Sequence, residues 1–328
     1  GIFSGLIMLF PIISAAIADT WLGTYKTILV FSGIYAAGLT LMDIAAIESI
    51  SSPWMVYLAL FGLITIGSGG IKSCVNVFGA QQMHPELHKP QIEKFYMYFY
   101  ASINVGSIVG GLAVPQVAES VSFFAAYLIP ISFFIVATIV FVAGSSRYVK
   151  IKPQGSAVVG VAKVVLSAAR HCSFVRTKKT HGGTFDDAFV EDVLKLMRLL
   201  PVCSMTVPLM VAYNQMTTAF LTQSEKMHSS LFGEPIAPEM IQTVDPVAVI
   251  ISSLVVERLI FPKLKAIDMM PNPMVRFAIG NLIGVVALLC AFGVELGVMH
   301  QDKPNTLSVW WQIPQFSFIA LAEIFVIS

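Results

Sequence analysis

The sequence predicts an all-α integral membrane protein, two bundles of transmembrane helices around a central cavity, on three observations. The 328 residues are 56% hydrophobic and only 12% charged, about half the charged share of an ordinary soluble domain, with a mean hydropathy of +0.79. Apolar residues gather in nine runs near the roughly 20 residues that a helix needs to cross a bilayer: about 1–18, 27–47, 54–81, 96–115, 123–145, 198–220, 243–261, 276–299 and 308–328. Of the 20 Lys and Arg residues, 17 fall in alternate loops and only Lys226 and Lys303 on the other side, with Lys72 inside a run. Positive charge marks the cytoplasmic face, so the basic loops are expected there.

The first run leads into Asp19 without a basic leading segment, so it reads as a span and not as a cleavable signal. The chain begins and ends inside apolar runs and is expected to be a piece of a longer protein; if that protein starts in the cytoplasm, an odd number of spans precedes Gly1, one being the simplest case. At the first cytoplasmic turn, Ile17 to Ile28, Asp19 is placed to cap or pair at a helix end, Gly23 permits a tight reversal, and Lys26 follows. The third run holds Gly67, Gly69 and Gly70, whose bare face lets another helix come close, and then Lys72, an ammonium on a flexible stem. Asn104 in the fourth run offers both a donor and an acceptor.

Residues 146–197 are basic and rich in turn formers, and read as a cytoplasmic linker rather than a domain. Within them, Val158 to Arg170 is predicted as a short amphipathic helix suited to an anionic leaflet. The organisation expected is an N-terminal bundle over 1–145, the linker over 146–197 and a C-terminal bundle over 198–328. In the last bundle the sixth run carries Asn214. The seventh carries Asp245 before Pro246, which is expected to break the helix, and the ninth carries Glu323.

Charge inside hydrocarbon costs several kcal/mol unless something compensates it, so a buried ionisable group is a functional candidate by default. Lys72 and Glu323 are of opposite sign on separate spans, which predicts a polar cavity that orients a zwitterion, carboxylate toward Lys72 and ammonium toward Glu323. Asn104, Asn214 and Asp245 are the expected companions. Asp245 could hold a proton, favour cationic substrates, or accept from a backbone amide.

Enzyme chemistry finds little to build on. His84-Pro85-Glu86-Leu87-His88 has its Glu misplaced for a zinc-protease helix and a Pro inside it. Gly69-Gly70-Ile71-Lys72 lacks the ending of a phosphate loop, and the four cysteines are scattered, so neither a disulfide framework nor a metal cluster is expected. No cofactor, no metal and no nucleic-acid partner is expected.

Two multi-helix halves joined by a basic loop match the plan of the major facilitator superfamily, and Asp19, Gly23 and Lys26 resemble its loop signature. Three further segments resemble one family within it, the proton-coupled oligopeptide transporters: Gly67 to Ala80, Phe99 to Ser107, and Trp310 to Glu323. The resemblance implies nine of twelve helices, from the second to the tenth, and a symporter of di- and tripeptides or related zwitterions that works by alternating access. Protons would be the coupling ion, small peptides and the lipid bilayer the partners, and the plasma membrane or an endolysosomal or vacuolar membrane the location. Glu323 then corresponds to the glutamate associated with the substrate's amino end. The alternatives on the same fold are a nitrate or histidine/amino-acid transporter, and in another class a solute-sensing receptor with little flux. The chain departs from the family at Asp245, where Asn is usual, at Asn214, which lacks a neighbouring acid, and at Met8-Leu9-Phe10, Gln81 and Met83.

Overall fold

A computed structural model describes residues 2–47, 49–84, 87–153, 155–231, 233–301 and 305–327. Pro85 and Glu86 of the His84 to His88 segment, Gln154, Lys303 and the side chain of Met8 lie outside the described residues. The chain forms two compact units, Gly1–Tyr100 with Val121–Met197, and Ala101–Ser120 with Arg198–Ser328.

In the first unit α1 (Ile2–Ile17) and α2 (Gly23–Ala45) are joined by a π-helical turn, Ala18–Leu22. Gly23 takes φ +75°, a backbone region open to glycine and costly for other residues, and the chain turns where the reversal was expected. A short helix α3 (Pro53–Tyr57), a second π-helical turn (Leu58–Ile64) and α4 (Thr65–Ala80) form one continuous span. It packs on both α1 and α2. A Cβ at Gly67 would come 2.6 Å from the Tyr35 backbone, and one at Gly70 would fall on the Phe31 ring. The missing side chains are therefore what let α4 approach its neighbours. After α5 (Lys89–Ser120), α6 (Phe123–Ala143) starts at Ser122, whose hydroxyl accepts from the Ala125 amide at 3.1 Å.

The end of this unit near the α1–α2 turn is closed by aromatic rings. Tyr25, Phe78, Phe141 and Tyr148 stack with centroids 5.2 to 6.2 Å apart, and the Lys150 ammonium lies 4.4 Å over the Tyr25 ring.

Residues 146–197 are more ordered than the linker expected. They contain α7 (Ala157–His171) and the start of α8 (Asp187–Ser204), and these pack on each other through Val164, Val190 and Val193, flanked by Phe174, Phe185 and Phe189. Between them Lys178 pairs with Phe185 in a parallel bridge, and the Lys178 ammonium reaches Glu191 at 2.8 Å. The predicted amphipathic helix is present as α7, but its valine face is covered by α8. Turn-forming composition suggested a solvated chain, whereas the valines and phenylalanines spaced along it are enough to close a small core.

In the second unit the expected span 198–220 is neither single nor straight. The helix begins earlier, at Asp187, and bends by 47° before α9 (Val207–Asn214). Pro201 and Pro208 withhold backbone donors on either side of the bend. A 3₁₀ turn, Gln215–Thr217, then leads to α10 (Ala219–Ser224). Beyond a two-residue hairpin of β1 (Ser230–Leu231) and β2 (Glu234–Pro235) come α11 (Val244–Val255) and α12 (Phe261–Ala266), linked by a π-helical turn. Pro246 does not break the helix as expected. It sits in the first turn of α11, where no intrahelical donor is needed. The unit ends with α13 (Pro273–Met299) and α14 (Ile313–Ile327), which pack along each other, while α11 packs on α14. Ala101–Ser120 of α5 belongs to this unit, not to the bundle over 1–145, and Gly111 lies against Thr243.

Among the described residues six helices are long and apolar enough to cross a membrane, or seven with the bent pair as one span. The nine expected follow when Gly5–Ala45 is divided at Gly23 and the run Val244 to Ala266, which carries Asp245, Glu257 and Arg258, is added.

Candidate functional site

The sequence candidates fall in three places. At the α1–α2 turn of the first unit, Asp19 and Gly23 line a cavity of about 230 Å³ together with Thr24, Gln81, Lys152 and Pro153. Asp19 acts there through its backbone carbonyl, which accepts from the Gly155 amide at 3.0 Å. Its carboxylate makes no ion pair among the described residues, so the pairing role expected of it is not seen. Lys26 is exposed on the first turn of α2. One departure from the expected pattern has a structural use here: Gln81 accepts from the Thr24 hydroxyl at 2.8 Å. Gln82 beside it accepts from the Val149 amide at 2.8 Å and donates to the Val149 carbonyl at 3.2 Å.

Lys72 projects from α4 of the same unit. It is exposed and makes no ion pair or hydrogen bond among the described residues, while the next residue, Ser73, meets the Ser14 hydroxyl at 3.2 Å. The glycine face before Lys72 fixes the helix tightly and leaves the ammonium stem unencumbered.

The second unit holds the acids. Asp245 stands in the first turn of α11, 7% exposed, and its Oδ1 has no hydrogen-bond partner among the described residues. Glu323 is half-buried on α14, against which both α11 and α9 pack, so Asp245, Glu323 and Tyr213 at the end of α9 stand on neighbouring helices. Tyr213 was missed by sequence reasoning, and its signal was its position beside Asn214. Asn104 is buried in the α5 portion of this unit. Asn214 is exposed, and its side-chain amide donates back to the Met210 carbonyl at 2.7 Å, one turn earlier on its own helix.

A second polar group in this unit had no signal in the sequence reading. Gln223 of α10 donates to the Ala291 carbonyl at 3.1 Å and to Glu295 Oε2 at 2.9 Å, both on α13, and accepts from the side-chain amides of Gln312 at 2.9 Å and Gln315 at 3.2 Å. Both of the latter glutamines are fully buried. Between α4 and α5, His84 and His88 accept from backbone amides, and no group of three or more potential metal ligands occurs among the described residues.

Residues 25–328 match the model of the POT family. Among curated relatives the chain is 26% identical to "Protein NRT1/ PTR FAMILY 8.5" of Arabidopsis thaliana over 99% of this chain and 67% of that protein. It is 27% identical to "Solute carrier family 15 member 1" of Homo sapiens over 90% of this chain and 46% of that one. The chain therefore spans about two thirds of the plant relative and under half of the human one. A crystal structure of "the POT family transporter PepTSo" superposes with a TM-score of 0.82 at 23% identity, covering 99% of this chain and 71% of that one, and shows the same fold.

Proposed function

The chain belongs to the POT family, and from that premise we propose that it serves a proton-coupled symporter of di- and tripeptides or related small zwitterions, working by alternating access of two helix bundles. Its fold is the all-α fold of the major facilitator superfamily, and it is a multi-pass membrane protein. The curated relatives include proteins named as peptide transporters. In this reading Lys72 takes the substrate carboxylate and Glu323 its ammonium, with Asn104, Asn214 and Asp245 lining the path and Asp19, Gly23 and Lys26 shaping the cytoplasmic turn. Protons are the coupling ion, and the location is the plasma membrane or an endolysosomal or vacuolar membrane.

The observation that supports this most is the sorting of charge among the helices: Lys72 on α4 makes no ion pair among the described residues, and Asp245 and Glu323 lie on the packed helices α11 and α14. A cation on one helix and acids on others suit a substrate that carries both signs. A carrier of nitrate, the alternative that the sequence left open, requires only the cation, and the acids then have no partner.

The test is uptake of a labelled dipeptide by the intact protein in liposomes under an inward proton gradient, with histidine and nitrate as competitors. Accumulation that collapses with an uncoupler is expected. Nitrate or histidine uptake without dipeptide uptake would move the substrate and leave the fold, and binding without flux would make the protein a receptor. Lys72→Ala is expected to lower uptake at least tenfold in folded protein, and unchanged uptake would remove Lys72 from the site.

A further inference from the structure

The pairing of one ammonium with Glu323 leaves Asp245 unexplained. Its carboxyl is more than nine-tenths buried, and Oδ1 accepts nothing among the described residues. A buried carboxylate without a donor is costly, and a like charge nearby makes it more so. Glu323 is that nearby charge.

The usual reason for an acid at the start of a helix is to cap or to face the helix dipole. Here the residue flanking α11 is Thr243, no side chain caps the helix, and Oδ1 receives no backbone amide. Nor does a basic side chain of the second unit serve. Lys226 lies at 4.0 Å from Glu295, Arg276 stacks 4.9 Å over the Phe261 ring, and no ion pair among the described residues involves Asp245. Tyr213 stands at the end of α9, which packs on α14.

We propose that Asp245, with Glu323 and Tyr213 beside it, forms a subsite for a second positive group, so that the favoured substrates are peptides with a basic side chain. The inference rests on the peptide-transport reading and deepens it. One ammonium, the peptide's amino end, belongs to Glu323. The lysyl ammonium or arginyl guanidinium of the substrate supplies the missing donor to Asp245 and offsets the repulsion between the two carboxylates. A charge-assisted bond of this kind, made away from bulk water, is about twice as strong as a neutral one.

The experiment compares, in liposomes bearing the intact protein, the concentrations of unlabelled Ala-Ala, Ala-Lys and Ala-Glu that halve uptake of labelled Ala-Ala. Ala-Lys is expected to compete about tenfold better than Ala-Ala, the factor that corresponds to one charge-assisted contact. In Asp245→Asn that ratio should fall to near one, and in Asp245→Glu, which keeps the charge, it should largely survive. A ratio near one in the unaltered protein, or a ratio that Asp245→Asn leaves untouched, overturns the subsite while peptide transport stands. Loss of proton-driven accumulation in Asp245→Asn with the ratio intact would make Asp245 a proton carrier, which also overturns it.

Thermal stabilisation of the purified protein by the same three dipeptides separates the two readings. Preferential stabilisation by Ala-Lys that Asp245→Asn removes, in a protein that transports nothing, keeps the subsite and ends the transport reading. No stabilisation and no uptake end both.

Discussion

Two helices, α4 in the first unit and α14 in the second, each carry one charged residue in an apolar run, Lys72 and Glu323, and solve packing in opposite ways. The α4 helix packs by absence: Gly67 and Gly70 present bare backbone to Tyr35 and Phe31, and Lys72 stands free of the contact. The α14 helix packs by filling. Phe316 and Ile319 are fully buried in the core with Phe220 and Ile241, and Gln312 and Gln315 are tied to Gln223. A face without side chains gives rigidity with nothing to titrate or rearrange, which suits a helix that offers one exposed cation. A face of buried amides holds direction through hydrogen bonds, which suits a helix that must set an acid beside the acid of α11.

The sharpest way to break the contrast is to give α4 a side chain. Gly70→Val places a branched Cβ on the Phe31 ring, and overpacking of this kind costs typically 1–3 kcal/mol and more when backbone must move; about 3 kcal/mol is expected. Gly106→Ala, in the fifth-helix motif where a Cβ meets nothing within 4 Å, should be neutral or stabilising, since alanine is the better helix former. Thermal unfolding of both variants in one detergent is the check. Equal losses would mean that Gly70 serves flexibility rather than close approach.

The amide cluster ranks next. Gln223→Leu leaves two buried side-chain amides, the Ala291 carbonyl and one Glu295 oxygen without their present partner. Hydrogen bonds between membrane helices average about 0.6 kcal/mol each, so a loss of about 2 kcal/mol is expected. A Gln315→Leu variant, which removes one bond of the set, should lose about a third of that. If the single bond costs as much as the hub, the cluster is held by packing, and the contrast with α4 disappears.

The same contrast marks what the sequence could tell. Glycines at 67, 69 and 70 announce a close approach by their own identity, and Lys72 and Glu323 announce themselves by their cost in hydrocarbon. The family and its helical membrane fold could be read that way. Gln223 could not, because its meaning depends on Glu295, Gln312 and Gln315, some 70 to 90 residues further on, and a lone glutamine in an apolar run has no period or motif. Tyr213 was hidden for the same reason, and the α7–α8 core was hidden by the turn-rich residues around it. Pro246 was misread because proline is tolerated or disruptive according to its place in the helix, and the start of α11 was not visible.

Smaller effects are expected where the end of α4 meets Val149 in the first unit. Gln82→Ala removes two hydrogen bonds to Val149 and one to the Phe78 carbonyl; exposed bonds of this kind sum to about 1 kcal/mol or less. The cost should appear locally, as faster proteolysis between Ser146 and Ser156 with little change in global unfolding. A global loss equal to that of Gln223→Leu would put this clamp in the same class as the amide cluster.

The smallest effect tests whether the α7–α8 segment is held as α14 is, by buried contacts, or by its surface charges. Lys178 meets Glu191 at 2.8 Å, with Glu191 largely in solvent. Pairs so exposed contribute about 0.2–1 kcal/mol and weaken with salt. Lys178→Met should cost about 0.5 kcal/mol at low salt and almost nothing at 1 M. Val193→Ala, in the core between Val164 and Val190, should instead cost about 1–2 kcal/mol at either salt, because a cavity is not screened. Hydrogen exchange of the α7 amides at both salt concentrations reads the difference. If the two substitutions respond to salt alike, charge rather than the valine core holds α7 on α8, and the segment is closer to the solvated linker that its composition suggests.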